Sequence, residues 1–493
     1  MILVDDEEHV GKFIIVGAGF GGLALALRLS HLGHEIDVFE KNSFVGGRCH
    51  AVKVGGCEFD GGPTLLMMLD PFRKLFHDVG EQFDEHVSIG LCNPNYRVTF
   101  ADGSSIDCSS NSAEMIAQIK NLSGEKDARS FSKMLGELSE LYYESIPRFV
   151  RRNYDSFLPL LSPVSAFVAI KYGMLGNLAR MMEKRFEDSR LQILFCLQTM
   201  YLGLSPKHAP SVYAVLTYME YGEGIWYPKG GLNAIPQAIA HLAENRGTKI
   251  HLNTTVCQIG DRSVQLESGE VLTADAVICN ADLPYAEKIT ASSRVRKVRP
   301  KNRRYSCSAF NIYIDYAGSL PKLLHHNIVL GGDFTKNLDQ IFNQFEIPAE
   351  PAFYAAISSR AEPCMAPSGH ENLYLLVPSP NLDHKWTDED ENLLLERVFA
   401  RLEADFDFDR NKISDMKTVS PRDWQNQFNL DKGATFGLSH DFFQSVCFRP
   451  SNRSRNIQGL FYVGASTNPG NGLPMTLISA ELAEERLRQA KLI

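Results

Sequence analysis

Two glycine-rich segments lie about 440 residues apart, and their residue types suit the cradling of phosphate. The first is Gly17-Ala18-Gly19-Phe20-Gly21-Gly22. The second runs from Gly464 through Gly470 and Gly472 to Leu473, Pro474 and Met475. In the first, Gly17 permits a tight turn after a strand and Gly19 lets the backbone approach a pyrophosphate. Gly22 allows a helix to pack closely on the strand. A helix opening there directs free N–H groups at the phosphates. Glu40 follows Gly22 by 18 residues, where a carboxylate accepts hydrogen bonds from ribose hydroxyls and repels a 2′-phosphate.

These residues need a strand, a helix and a second strand to hold them, and the flanking sequence supplies all three. Lys12 to Val16 is a short apolar run suited to a buried parallel strand. Leu23 to Leu32 has helical spacing, with Gly33 as its stop. Glu35 to Phe39 reads as the second strand, completing a βαβ unit. Ser43 to Thr64 reads as loop, Pro71 to Asp84 as helix, and Tyr96 to Ile106 as a hairpin turning at Asp102-Gly103. Residues 112–200 read as largely helical. Lys249 to Ile259 reads as one strand, Ala276 to Asn280 as a central strand, and Leu460 to Gly464 as the last. Residues 305–380 alternate strand-like runs that suggest a large antiparallel sheet. Thr387 to Ala404 and Thr476 to Leu492 read as helices.

The 493 residues suffice for two or three domains. A net charge of −9 argues against nucleic acid as a partner, because phosphate backbones need a basic surface. Ten cysteines form no CxxC pair and match no zinc spacing, so no metal is expected. The acidic start lacks the basic n-region of a signal peptide. No run reaches 18 uncharged apolar residues. The nearest is Phe157 to Gly176, broken by Pro159, Pro163 and Lys171.

Gly46-Gly47-Arg48 is a loop of the kind that wraps a pyrophosphate in amine-oxidase-type flavoproteins. With it come FDGGPT (59–64), YPKGGLNAIPQAI (227–239), AVICNAD (276–282), APSGHENLYLLVPSPNL (366–382) and FRPSNRSRNIQGLFYVGASTNPGNGLPMTL (448–477). Together these segments resemble the bacterial and fungal phytoene desaturases, a carotenoid desaturase family. The resemblance implies FAD as cofactor. Its site would comprise Gly17, Ala18, Gly19, Phe20, Gly21, Gly22, Glu40, Lys41, Gly46, Gly47, Arg48, Pro63, Thr64, Val256, Gly464, Gly472, Leu473, Pro474 and Met475. Val256 would sit by the adenine, and the helix opened at Gly472 by the flavin. Relatives commonly carry His at the position of Asn468, so no imidazole role transfers. No catalytic residue is assigned, and Arg148, Arg151, Arg152 and Asp155 receive no role.

The implied fold class is α/β, or α+β overall. A Rossmann-type FAD-binding domain would comprise 11–70, 228–290 and 455–493. A substrate domain with an antiparallel sheet would comprise 90–110 and 300–450. A helical, membrane-facing subdomain would cover 112–226. The implied reaction introduces C=C bonds into a membrane-dissolved polyene by hydride transfer to flavin N5 with proton loss. Oxygen or a quinone would be the acceptor. A cytoplasmic protein held peripherally on a bilayer surface is expected. The apolar Phe157 to Met182 stretch would face the lipid, flanked by Arg148, Arg151, Arg152, Arg180, Lys184 and Arg185. Two other readings compete. One is a different amine-oxidase-type flavoenzyme, acting on an amine or protoporphyrinogen. The other is a non-catalytic prenyl-binding protein like the GDP-dissociation inhibitors.

Overall fold

The computed structural model describes residues 10–174, 176–290 and 303–493. Its first organising element is a five-stranded parallel sheet. In spatial order the strands are Leu460–Tyr462, Ala276–Cys279, Lys12–Val16, Glu35–Phe39 and Lys249–His251. The central strands are buried on both faces, as their unbroken β-branched runs require. Helices Phe20–His31, Ala234–Asn245 and Leu473–Gln489 share one apolar core with this sheet. Arg28 on the first of these pairs with Asp78 at 2.8 Å and with Glu484 on the last helix at 2.6 Å, joining the two ends of the chain.

A second sheet has seven strands, ordered Ile413–Val419, Ser308–Tyr316, Glu371–Ser379, Phe353–Ile357, His326–Val329, Tyr96–Thr99 and Ser105–Cys108. It is not wholly antiparallel as expected: His326–Val329 runs parallel to Tyr96–Thr99. Those two strands are separated by the whole helical region, and so long a connection imposes no antiparallel return.

The expected single strand over 249–259 is two strands in different sheets. Lys249–His251 lies in the parallel sheet, whereas Val256–Gly260 opens a three-stranded antiparallel sheet. Asn253 turns the chain between them at φ 52°, a conformation that asparagine tolerates better than most residues. The loop expected over 43–64 contains a hairpin, Ala51–Val54 with Cys57–Asp60. The helix expected over 71–84 is Leu69–Asp78 followed by a single turn, Phe83–His86. The last helix starts at Leu473, three residues before the expected Thr476.

Residues 112–221 begin with two long helices, Ser112–Ser123 and Glu125–Ser145. Asn111 caps the first by accepting from the Ala113 and Glu114 amides. Beyond Ser145 the chain breaks into short helical pieces. Phe131 stacks on Phe195 at 5.4 Å and meets Tyr221 edge-on at 5.9 Å, pinning these pieces to the long helix. Phe131 is fully buried, so Phe131→Ala is expected to cost about 3–5 kcal/mol. Denaturant unfolding checks this; a loss below about 1 kcal/mol would mean that the helical region does not rest on this cluster.

Candidate functional site

The carboxyl-terminal ends of the parallel strands bring the glycine segments together. Gly17 leaves the opening strand at φ 99°, its amide donating to Phe39 O at 2.8 Å. A Cβ at Gly22 would lie 2.4 Å from Gly17 O, so the helix packs as closely as glycine allows. Gly46 donates to Ala18 O at 2.8 Å, and a Cβ on Gly47 would lie 3.2 Å from the Gly19 Cα. From the far end of the chain, the Gly464 Cα lies 3.1 Å from where a Gly21 Cβ would be. Helix Phe20–His31 opens at Gly19 without a side-chain cap and with no acid in its first turn, which leaves its N–H groups free for an anion.

Glu40 is held rigidly. Its Oε2 accepts from the Ala18 amide at 2.9 Å, and its Oε1 accepts from the Asn42 amide and side chain, both at 2.8 Å. The turn at Asn253 wraps this strand end: the Thr254 amide donates to Glu40 O at 2.8 Å, which brings Val256 beside the carboxylate's strand. Arg48 donates to the Thr435 carbonyl and has no other hydrogen-bond partner among the described residues. Burial lowers its pKa, opposed by the nearby Asp282 carboxylate. A half-buried guanidinium with most of its donors unspent is an anion site in waiting. Lys41 Nζ donates to Asn426 O at 2.9 Å and Asn429 Oδ1 at 3.1 Å, and the residue lines the same space.

A cavity of about 1040 Å³ starts at these residues. Its wall includes every candidate named from the sequence except Ala18 and Gly22, which lie behind it. Pro63 and Thr64 are in the wall, and Thr64 donates to Tyr354 Oη at 2.8 Å. Gly472, at φ 116°, sets the N-terminus of helix Leu473–Gln489 against the same space. Asp60 joins the FDGGPT and YPKGGL segments by accepting from Tyr227 Oη and the Leu232 amide, each at 2.7 Å. Burial pushes its carboxyl up to about 6.

Sequence reasoning missed Asn280, Asp282 and His440. Asn280 Nδ2 donates to Gly17 O at 3.1 Å. Asp282 accepts from the Ser466 hydroxyl and from the Asp431 amide at 3.2 Å, and burial raises its pKa. Both belong to the AVICNAD segment, where a buried strand ending in two polar residues was the available signal. His440 Nε2 accepts from the Asn471 amide at 3.1 Å, and burial holds its ring neutral. Nothing local marked it. The fold also gathers Cys92, His325 and His326 with their ligand atoms within 4.8 Å, a grouping that no sequence spacing announced. His326 Nδ1 meets Tyr354 Oη at 2.6 Å there.

From the glycine end the cavity passes Met200, Tyr201, Val215, Leu216 and Met219 to a rim of Phe157, Leu161, Ile170, Phe442 and Phe448. Tyr213 lines it as well. Three of the six basic residues expected to flank this rim are committed elsewhere. Arg151 pairs with Asp70 and Glu481, Arg148 with Glu144, and Arg185 with Glu137. Asp155 pairs with Arg486. Arg152, Arg180 and Lys184 are exposed and make no ion pair among the described residues.

Residues 20–485 match the model of the flavin containing amine oxidoreductases. The chain is 39% identical to a zeta-carotene-forming phytoene desaturase of Myxococcus xanthus, over 97% of this chain and 93% of the relative. It is 35% identical to a phytoene desaturase of Neurospora crassa, over 98% and 85%. Among solved structures, an oxidoreductase from Methanosarcina mazei superposes with a TM-score of 0.64 at 18% identity, over 96% of this chain and all of that one, a likeness of fold. Replacing Arg48 by Met is expected to weaken flavin binding about tenfold or more, since hydrogen bonds to charged groups contribute about 1.5–3 kcal/mol. Fluorescence titration of the refolded apoprotein reads this, and unchanged affinity would remove Arg48 from the site.

Proposed function

The chain belongs to the phytoene and carotenoid desaturase family within the flavin-containing amine oxidoreductases, and from that premise we propose that it holds FAD at the glycine-lined end of the cavity and desaturates a phytoene-like polyene entering from a bilayer at the other. The enzyme is a flavin-dependent oxidoreductase of carotenoid biosynthesis. The distribution of charge supports the finer reading. Among the described wall residues the charged or basic side chains are Glu40, Lys41, Arg48, Asp282 and His440, all at or near the glycine segments. The remainder of the wall is apolar or neutral, offering no counter-ion to an amine.

The residues present fit FAD. Glu40 suits the ribose hydroxyls, and the helix N-terminus at Gly19 with the spare donors of Arg48 suits the pyrophosphate. Val256 suits the adenine, and the segment from Gly472 to Met475 suits the flavin end. Bound there, the flavin supplies the two-electron oxidant that a hydrocarbon with no heteroatom requires. The chain's own contribution is alignment. Met200, Leu216 and Met219 confine a flexible polyene to one line and exclude water from the reacting carbons. Oxygen or a quinone would serve as the electron acceptor.

The rim suits a lipid surface. Ile170, 78% exposed, shares the cavity wall with Leu161, Phe442 and Phe448, and Phe443, 72% exposed, packs edge-on or tilted against the last two. An apolar patch of this kind at a cavity mouth is what a peripheral enzyme needs to draw substrate from lipid. Among the described residues no helix is long and apolar enough to cross a membrane.

Purified enzyme given FAD and liposomes carrying phytoene is expected to yield extractable polyenes that absorb at longer wavelength. Oxidation of putrescine with no change in the polyene would contradict the reading. The double substitution Ile170→Ser and Phe443→Ser is expected to lower liposome binding at least tenfold, because each side chain buries about 1.5–3 kcal/mol of apolar surface. Cosedimentation measures it, with flavin content as the control. Undiminished binding would move the membrane face elsewhere.

A further inference from the structure

Glu220 lies on helix Val215–Tyr221, directly behind the cavity wall, and its side chain is completely buried. Its Oε2 accepts from Tyr96 Oη and from Gln198 Nε2, both at 2.8 Å. Its Oε1 has no hydrogen-bond partner. The hydroxyl of Tyr201 interacts with the same carboxyl, and Tyr201 is part of the cavity wall. Tyr201 is also tied to the flavin end: Asn471 Nδ2, in the loop before Gly472, donates to Tyr201 O at 3.4 Å. A buried carboxyl with an unsatisfied oxygen costs stability. Such a group beside a substrate cavity calls for a functional account.

Resting on the desaturase reading, we propose that Glu220 is the acceptor of the proton that desaturation removes from the polyene, reached through the phenol of Tyr201. In this step a C–H bond of the substrate breaks and its electron pair becomes the second bond of the new C=C. The proton forms an O–H bond on Tyr201 as Tyr201 releases its own proton to Glu220 Oε1. The hydride lost from the adjacent carbon would be accepted by the flavin of the proposed reaction, which balances the electrons. Oε2, fixed by Tyr96 and Gln198, holds the carboxyl in place, while Oε1 is free to receive a proton. Glu220 therefore acts through Tyr201 and does not touch the substrate.

The electrostatics agree. Burial pushes the Glu220 carboxyl up to about 7, against the pull of its hydrogen bonds. The titratable groups facing it are Tyr96, Tyr201, Tyr221 and Cys108, each pushed far above neutrality by burial. No cation faces it among the described residues. Glu220 is thus the group of this cluster that changes charge near neutral pH, and a base is most effective when its pKa lies near the working pH. Because its pKa is raised on folding, the protonated carboxyl is the favoured form, and the associated stability is lost as pH rises through about 7.

The test compares wild type, Glu220→Gln and Tyr201→Phe as FAD-loaded enzymes with phytoene liposomes. The wild-type kcat should rise with pH through about 7 and level off above it. E220Q should lose about a hundredfold in kcat with KM little changed, and its pH profile should be flat. Y201F should lose kcat in the same way while keeping the Glu220 titration. That titration is read independently of turnover, as a protonated-carboxyl infrared band that fades near pH 7 and is missing in E220Q. If the wild type desaturates while both variants keep kcat within threefold and the same profile, the relay is wrong and the carboxyl only braces the helices. Should E220Q not fold, Y201F decides between the same two outcomes. Should the wild type leave phytoene unchanged, the desaturase reading itself fails.

Discussion

Two stretches of glycine-rich backbone, one from each end of the chain, close around one side chain, Asn280. Its amide donates to Gly17 O, and a Cβ on Gly19 would lie 2.7 Å from its nitrogen. A Cβ on Gly464 would lie 2.6 Å from its oxygen. Asn280 is itself fixed, since its backbone amide extends the ladder to Val16 O at 2.8 Å. The close approach of the first and last segments depends on this contact, because side chains on either backbone would force them apart. Arg28 adds a second tie some distance away, through Asp78 and Glu484.

Once the two ends are joined, everything between them becomes an excursion from the parallel sheet. Charge stays where the sheet ends: Glu40, Arg48 and Asp282 are fixed by backbone and short polar contacts. The excursion contributes methionines, leucines and aromatics that extend the cavity toward an apolar rim. A polar head and an apolar tail in one cavity are what a dinucleotide and a hydrocarbon would jointly need. Glu220 stands out against that pattern, a carboxyl placed on the apolar side and kept from the substrate by Tyr201.

The βαβ unit and the glycine segments were legible in the sequence because each rule that governs them is local. Strand, turn and helix follow one another within 30 residues, and Gly17 and Gly22 have no alternative residue. Val256 lines the cavity, but a different element from the one read in the sequence brings it there. HLNTTV reads as a strand, and only the strand end at Glu40 makes Asn253 turn. The basic flanks of the apolar stretch were legible as charge but not as partners. Arg151 finds Asp70 and Glu481 across distances that sequence cannot show. Phe442, Phe443 and Phe448 resemble core residues in sequence, and only the fold exposes them. Glu220 was equally hidden, since burial on all sides is a property of packing.

Closure of both chain ends on one cofactor is the central claim, and amide hydrogen exchange of the full-length enzyme with and without FAD tests it most directly. The account predicts that residues 17–22, 46–48 and 464–475 gain protection together on FAD addition, with a common dependence on FAD concentration. Protection confined to 17–22 and 46–48, with 464–475 exchanging as in the FAD-free protein, would contradict it.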